Sequence, residues 1–488
     1  MKHFFILFSY FIFSTAFAQP LTPELTGKIE RYFNATLQQS KGAGVAVAIV
    51  KDHEVIFMKG FGYRDVEQKL PVTSKTLFGI GSTTKAFTST LLGILSDTGQ
   101  LNLDQPIVEY IPSFQLLDSE ATKSATLVDL LTHQTGVPRH DFAWYKGEFS
   151  SRAEMFQLLR FLDPSAKFRE KWQYNNWMYM ASGYIAEIVA GRTWESLVAE
   201  RILSPLKMTT TNFSVIESQK SQDYALPYIF DESGPKRTQF VNIDLIGPAG
   251  SINSNLEDMS QWLKFQLHRG LFGERRLISG SMLARIHTPV VNTLSKKHQV
   301  IKELGAMKYA LGWNVTTYRG RRFIEHTGGI DGFLTFVGFL PDSKLGVVVL
   351  SNSYALDGMP LGLYAIDQAL SLPEVDWFKR FRDLNGKTTP PPPLEYQPPP
   401  RPLRDYVGNY RHRVYGEVFI SLSQVDGEQL RIKFHGMEFA LKHVSNNRFY
   451  IVGGYTANEA SFLSFQLDAN PSLGWKVEPT LPAIQFVR

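Results

Sequence analysis

Apolar positions in residues 21–39 recur at the spacing of one helical face, which predicts an amphipathic helix near the start of the chain. Residues 45–51 and 55–61 follow as two strand-like runs around Asp52-His53-Glu54, the pattern of a hairpin. A further helix is expected from Ser82, with Phe87, Leu91, Ile94 and Leu95 on one face and Gly99 as its stop. From there to about residue 270 the pattern is mostly helical with long loops, clearest at 126–131, 178–190 and 256–267. Strand signals return at 322–325, 334–340 and 345–350, the last two across a Pro341-Asp342 turn, and a helix around 361–370 closes this part. Strands at both ends with helices between predict an α/β fold. One antiparallel sheet is flanked by the terminal helices and interrupted by a helical insertion, with a cleft between sheet and insertion.

Past this point the pattern changes. The proline-rich runs 390–393 and 398–402, the second interrupted by Arg401, predict a stiff, extended linker. Beyond it Val418, Ile420 and Leu422 alternate, Asp426-Gly427 turns the chain, and Leu430, Ile432 and Phe434 alternate again. Short strand-like pieces continue to Val487, so a small all-β barrel domain is expected. The division is then a leader at 1–18, a main α/β domain at 19–387, a linker at 388–402 and a β domain at 403–488. A tether of this kind predicts an independently folded β domain with few contacts to its neighbour.

The leader is read from Lys2, an almost wholly apolar run at 4–13 and the small-x-small triplet Ala16-Phe17-Ala18. The run is short of the roughly 20 residues that a spanning helix needs. Export to the periplasm or the medium is expected, with a mature start near Gln19 and no stable membrane anchor. The chain has no cysteine, which excludes disulfides, thiolate metal sites and a cysteine nucleophile. Its formal charge of +5 is not gathered into Lys/Arg runs interleaved with aromatics, so no nucleic-acid partner is expected. The eleven histidines form no HExxH or close ligand cluster, so neither a metal site nor a cofactor is expected.

Three short motifs carry candidate chemistry. Ser82-Thr83-Thr84-Lys85 stands where a glycine-flanked strand end, Gly79 and Gly81, enters a helix. A hydroxyl there feels the positive end of the helix dipole, and a lysine three residues on shares its face. Buried beside other cations, that lysine can lose its charge and act as a base. Tyr174-Asn175-Asn176 precedes a helix; the tyrosine can relay a proton if cations lower its pKa, and Asn176 can donate to a carbonyl. His326-Thr327-Gly328-Gly329 ends the 322–325 strand, where glycines let a ligand approach the backbone and the Gly329 N–H can pair with that of Ser82 as an oxyanion hole. Two decoys match the same patterns: Ser204-Pro205-Leu206-Lys207 in a proline-containing loop, and Tyr32-Phe33-Asn34 inside the first helix. Residues 138–145 are expected at the mouth of the cleft, and His133 is expected to pack within the insertion.

In their order and spacing these motifs resemble those of class C β-lactamases and penicillin-binding-protein-like serine hydrolases. Gly312-Trp313, Leu350-Ser351-Asn352 and the 130–136 segment strengthen the resemblance, which covers about residues 25–370. The segment containing Tyr406-Val407-Gly408-Asn409-Tyr410 resembles the lipocalin-like domain appended to some members. The resemblance implies a serine hydrolase forming an acyl-enzyme at Ser82, with Lys85 and Tyr174 sharing the base role. It also implies an oxyanion hole at Ser82 and Gly329, and Asn176 on the substrate's amide carbonyl. One departure matters. The third motif of true β-lactamases carries lysine where this chain has His326, mostly neutral near pH 7. A D-amino-acid peptidase or esterase is therefore favoured over a β-lactamase, and a catalytically weak penicillin-binding or wall-peptide-sensing protein is the alternative. The expected partners are a small peptide, ester or β-lactam-like substrate and, in a homo-oligomer, further copies of the chain.

Overall fold

The computed structural model describes residues 20–231, 233–385, 396–424, 427–453 and 461–488. The leader at 1–18, the start of the linker and Asp426 of the expected turn lie outside the described residues.

Strand Gly44–Lys51 is buried along almost its whole length. Val45, Val47 and Ile49 enter one core with Phe336, Val347 and Val349. Ala46, Ala48 and Val50 enter another with Val337, Val348 and Leu350. Successive side chains point to opposite faces, so a strand covered on both sides is apolar at every position. It pairs antiparallel with Leu345–Ser351, in register Val47↔Val349, which joins the two ends of the domain.

The whole sheet has nine antiparallel strands. Beyond Leu345–Ser351 come Phe333–Leu340, Arg321–Ile330, Asn314–Tyr318 and two short edge strands, Lys308–Tyr309 and Val291–Asn292; on the other side lie Glu54–Asp65 and Leu70–Pro71. Helices Pro23–Ser40, Gly358–Ala369 and Trp377–Asn385 cover one face through Phe33, Leu361 and Trp377. The other face meets Thr84–Asp97 and Leu256–Leu267 and, beyond them, the helical insertion. His326-Thr327-Gly328-Gly329 does not end its strand, as the sequence suggested. The strand runs on to Ile330, with His326 opposite Val337 and Gly329 opposite Leu334.

The C-terminal part is a closed, eight-stranded antiparallel barrel from Gly408–His412 to Ile484–Val487, sealed by the pair Arg411↔Val487. Val418, Ile420, Leu430, Ile432 and Phe434 fill it, as their alternation predicts. The expectation of few contacts fails. Trp475 of the barrel packs against Phe142 with ring centroids 5.9 Å apart. The Arg413 guanidinium lies 4.3 Å from the Phe161 ring centre. His435 Nδ1 lies 3.0 Å from the Tyr145 carbonyl oxygen. Buried side chains run without a break from the insertion into the barrel, so apolar burial, rather than the tether, sets its position.

Candidate active site

Ser82 sits in a single 3₁₀ turn, Gly81–Thr83, that runs directly into helix Thr84–Asp97. Strand Arg321–Ile330 passes so close that only glycine fits at the crossing. A Cβ on Gly328 would fall 2.0 Å from the Ile80 carbonyl oxygen, and one on Gly81, whose φ is +50°, 2.7 Å from the Gly329 nitrogen. Ser82 and Gly329 consequently line the same cleft.

Lys85 is fully buried one helical turn on. Its Nζ lies 3.1 Å from Ser82 Oγ and 2.8 Å from both Asn176 Oδ1 and the Ala249 carbonyl oxygen. Desolvation, helped by the Arg139 charge and opposed by Asp141, holds its pKa well below the usual lysine range. A neutral amine fits these partners. Its two hydrogens go to the two oxygen acceptors, and its lone pair faces the serine hydroxyl.

Asn176 opens helix Asn176–Ala190, whose N-cap side chain, Asn175, accepts from Met178 N at 3.3 Å. The Asn176 amide is oriented from both ends, because its Nδ2 donates to Asp141 Oδ1 at 3.0 Å while Oδ1 faces Lys85. Tyr174 is hydrogen-bonded to Ser82, and its ring centre lies 4.8 Å from Lys85 Nζ and 4.9 Å from the Arg139 guanidinium. The Arg139 charge pulls its pKa down, as the condition for proton relay required of nearby cations. Burial outweighs that charge and the Ser82 bond, pushing the phenol up to about 12, so Tyr174 stands there as a proton donor.

His326 faces the cleft with Nε2 3.1 Å from the Tyr309 hydroxyl and Nδ1 2.6 Å from the Thr327 carbonyl oxygen. Burial, and then the Lys85 charge, lower its pKa to about 3. His133 packs in the insertion, its ring centre 4.5 Å from that of Tyr174, and its Nδ1 accepts from the Asn175 N–H at 3.0 Å. The decoys stand apart from the site. Ser204 and Lys207 are exposed, and Tyr32 stacks on Tyr364 with ring centres 3.6 Å apart.

The cleft has a volume of about 740 Å³ and runs from Ser82, Tyr174 and His326 past Arg139 to a wall from the barrel, Glu478-Pro479-Thr480. Sequence reasoning missed Asp141, Tyr309 and this barrel wall as parts of the site. Asp141 fell in a segment already placed at the cleft mouth, whereas nothing in the local pattern marks the others. Among the described residues no group of three or more His, Asp or Glu side chains is placed to hold a metal ion.

A serine at a helix start, a buried lysine against its hydroxyl and a glycine strand edge beside both are the parts of a serine hydrolase. The Beta-lactamase family profile matches residues 29–371, and the chain belongs to that family. Residues 393–487 match a profile described as a domain of unknown function, DUF3471. Unguisins hydrolase ungD' of Aspergillus campestris is 30% identical over 420 residues, covering 79% of this chain and 76% of that protein. Protein flp of Staphylococcus aureus is 27% identical over 337 residues, 68% of this chain and 64% of that protein. An octameric penicillin-binding protein homologue from Pyrococcus abyssi shares the fold with a TM-score of 0.64 at 23% identity, covering 95% of this chain and 99% of that one.

Proposed function

We propose that the chain is an exported serine hydrolase that forms an acyl-enzyme at Ser82 and cleaves amide or ester bonds, acting as a peptidase or esterase rather than as a true β-lactamase. The observation that carries this reading is the buried Lys85 amine against Ser82 Oγ, with both of its other polar contacts made to oxygen acceptors.

In this mechanism the Ser82 hydroxyl proton passes to neutral Lys85 as Oγ bonds to the substrate's carbonyl carbon. The N–H groups of Ser82 and Gly329 receive the oxyanion. As the tetrahedral intermediate collapses, the C–N or C–O bond breaks and Tyr174, hydrogen-bonded to Ser82, delivers a proton to the departing amine or alkoxide. Proton transfer from the Lys85 ammonium restores the phenol. Water then attacks the acyl ester with Lys85 again as base, releasing the acid and the Ser82 hydroxyl. One hydrogen-bond donor on the Asn176 amide is already engaged by Asp141, so its second hydrogen is the one offered to a substrate carbonyl.

The neutral His326 supports the choice against β-lactams. A fixed cation at this strand position would meet a substrate carboxylate, and an imidazole whose pKa is lowered to about 3 does not supply one at neutral pH. Export rests on the leader-like residues 1–18 and is tested by cell fractionation and N-terminal sequencing, with Gln19 as the expected first residue. Association of copies is part of the same proposal, because the protein of like fold from Pyrococcus abyssi is octameric. The activity is tested by hydrolysis of D- and L-aminoacyl anilides, short-chain esters and nitrocefin. Turnover of an anilide or ester far above that of nitrocefin supports the reading, and the reverse order overturns it.

A further inference from the structure

His140 joins the two domains at one point of the cleft rim. Its backbone is left-handed, with φ +46°, and its side chain is buried. The ring nitrogen Nε2 faces the Asp163 carbonyl oxygen at 2.9 Å, an acceptor only, so Nε2 carries the hydrogen. Nδ1 therefore accepts, and its partner is the Tyr415 hydroxyl of the barrel at 2.6 Å. The His140 N–H donates to a second barrel residue, Glu478 Oε2, at 3.0 Å. That carboxylate is itself buried, and its other oxygen accepts from Thr480 Oγ1 at 2.8 Å. Five residues share this cluster, and three of them, Tyr415, Glu478 and Thr480, belong to the barrel.

The residues on either side of His140 reach the chemistry. Arg139 bonds Asp141 Oδ2 through Nε at 2.5 Å and lies over the Tyr174 ring. Asp141 holds the Asn176 amide in the one orientation that turns Oδ1 to Lys85. The path from the barrel to the base thus runs through Tyr415 and Glu478 to His140, across one peptide to Arg139 and Asp141, and on to Tyr174, Asn176 and Lys85.

We infer that the C-terminal barrel is a positioning element of the Ser82 site: Tyr415 and Glu478 clamp His140, and so hold Arg139 and Asp141 against the side chains that surround Lys85. The inference rests on the proposed role of Ser82 and Lys85. The barrel does more than line the cleft, because its hydrogen bonds end one residue from the ion pair that packs on Tyr174 and Asn176.

The sign of the effect follows from the surroundings of Lys85. Tyr174 and Tyr179 face its Nζ at 4.8 and 5.2 Å from their ring centres, and His133 and His326 are kept neutral by burial. Desolvation is the largest cause of its lowered pKa, followed by Arg139, with Asp141 in the opposite sense. A loosened loop admits water and lets Arg139 move away, and each change returns the amine toward the ordinary lysine range. The neutral amine is the active form, so activity is lost as pH falls through the lysine's pKa. A raised value moves that acid limb to higher pH and leaves the alkaline plateau recoverable.

The test is the pH profile of acylation by a small activated ester, measured on the full chain for Tyr415→Phe, Glu478→Gln and wild type. Tyr406→Phe, which removes a hydrogen bond to Asn447 elsewhere in the barrel, serves as the control for general loosening. Circular-dichroism melts establish that each variant is folded at the assay temperature. The expected result is an acid limb displaced upward by at least half a pH unit in the first two variants, a rate that approaches wild type on the alkaline side, and an unmoved limb in the control. An unmoved limb in folded Tyr415→Phe and Glu478→Gln overturns the inference, whether or not the plateau falls. Equal displacement in the control overturns it too. Failure of the underlying reading is distinguishable, because ester turnover would then survive Ser82→Ala.

Discussion

The Tyr309 hydroxyl stands 3.1 Å from His326 Nε2, while His326 Nδ1 faces the Thr327 carbonyl at 2.6 Å. The carbonyl can only accept, so the hydrogen of the neutral ring sits on Nδ1, and Nε2 accepts from the phenol. Protonation would turn Nε2 from an acceptor of the Tyr309 hydroxyl into a donor, so that bond would have to reverse. Burial thus fixes both the charge and the tautomer of the third motif.

His326→Lys is expected to introduce the missing cation at this strand position. It should raise kcat/KM for carboxylate-bearing substrates, nitrocefin included, relative to uncharged esters. Side-by-side kinetics of the two substrate types provide the check, and an unchanged ratio counts against the assigned role.

Lys85→Ala and Tyr174→Phe should each lower the acylation rate by about 10²- to 10⁴-fold, the usual worth of positioned general acid–base help. The acid limb of wild-type acylation should lie well below the pH at which an ordinary lysine loses its proton, because burial holds the Lys85 amine well below that range. Stopped-flow acylation across pH measures both effects.

Glu325 neighbours His326 in the strand but lies in a separate buried environment, hydrogen-bonded to Asn314 and with Oε2 unpartnered. Burial raises its carboxyl to about 7 from 4.5. A raised folded-state value means stability that is present below the unfolded pKa and lost as pH climbs from about 4.5 to 7. Glu325→Gln, which mimics the protonated acid, should match wild type near pH 4 and melt at a higher temperature at pH 8. The linkage slope for one proton is about 1.4 kcal/mol per pH unit. Thermal melts at the two pH values decide it.

Pro479, exposed in the barrel's wall of the cleft, has room to carry a larger side chain. Pro479→Trp should depress kcat/KM by a factor that grows with substrate size across a series of esters or peptides. A size-independent loss would remove the barrel wall from substrate selection.

The order of strands and helices to residue 370 was legible because Gly44–Lys51, Phe333–Leu340 and Leu345–Ser351 are nearly all buried, which writes an apolar run into the chain. The edge strands Val291–Asn292 and Lys308–Tyr309 are too short to show any period. Helix Trp377–Asn385 escaped because its anchors Trp377, Phe378 and Phe381 stand among charged residues. Ser82 and Lys85 stood out because they lie three residues apart where a turn enters a helix. Asp141 meets Asn176 from 35 residues away, and Glu478 meets His140 from 338 away, so neither contact leaves a local pattern. The pKa of Tyr174 stayed open for the same reason: cations can be suspected from sequence, but the depth of burial that outweighs them cannot.

Intact-mass analysis after treatment with a fluorophosphonate tests the central claim most directly. Wild type should gain one phosphonyl group, mapped by peptide sequencing to Ser82, and lose hydrolytic activity in step with labelling. Folded Ser82→Ala should gain none and turn over no substrate. Undiminished labelling of that variant, or a label mapped to Ser204, would contradict the account.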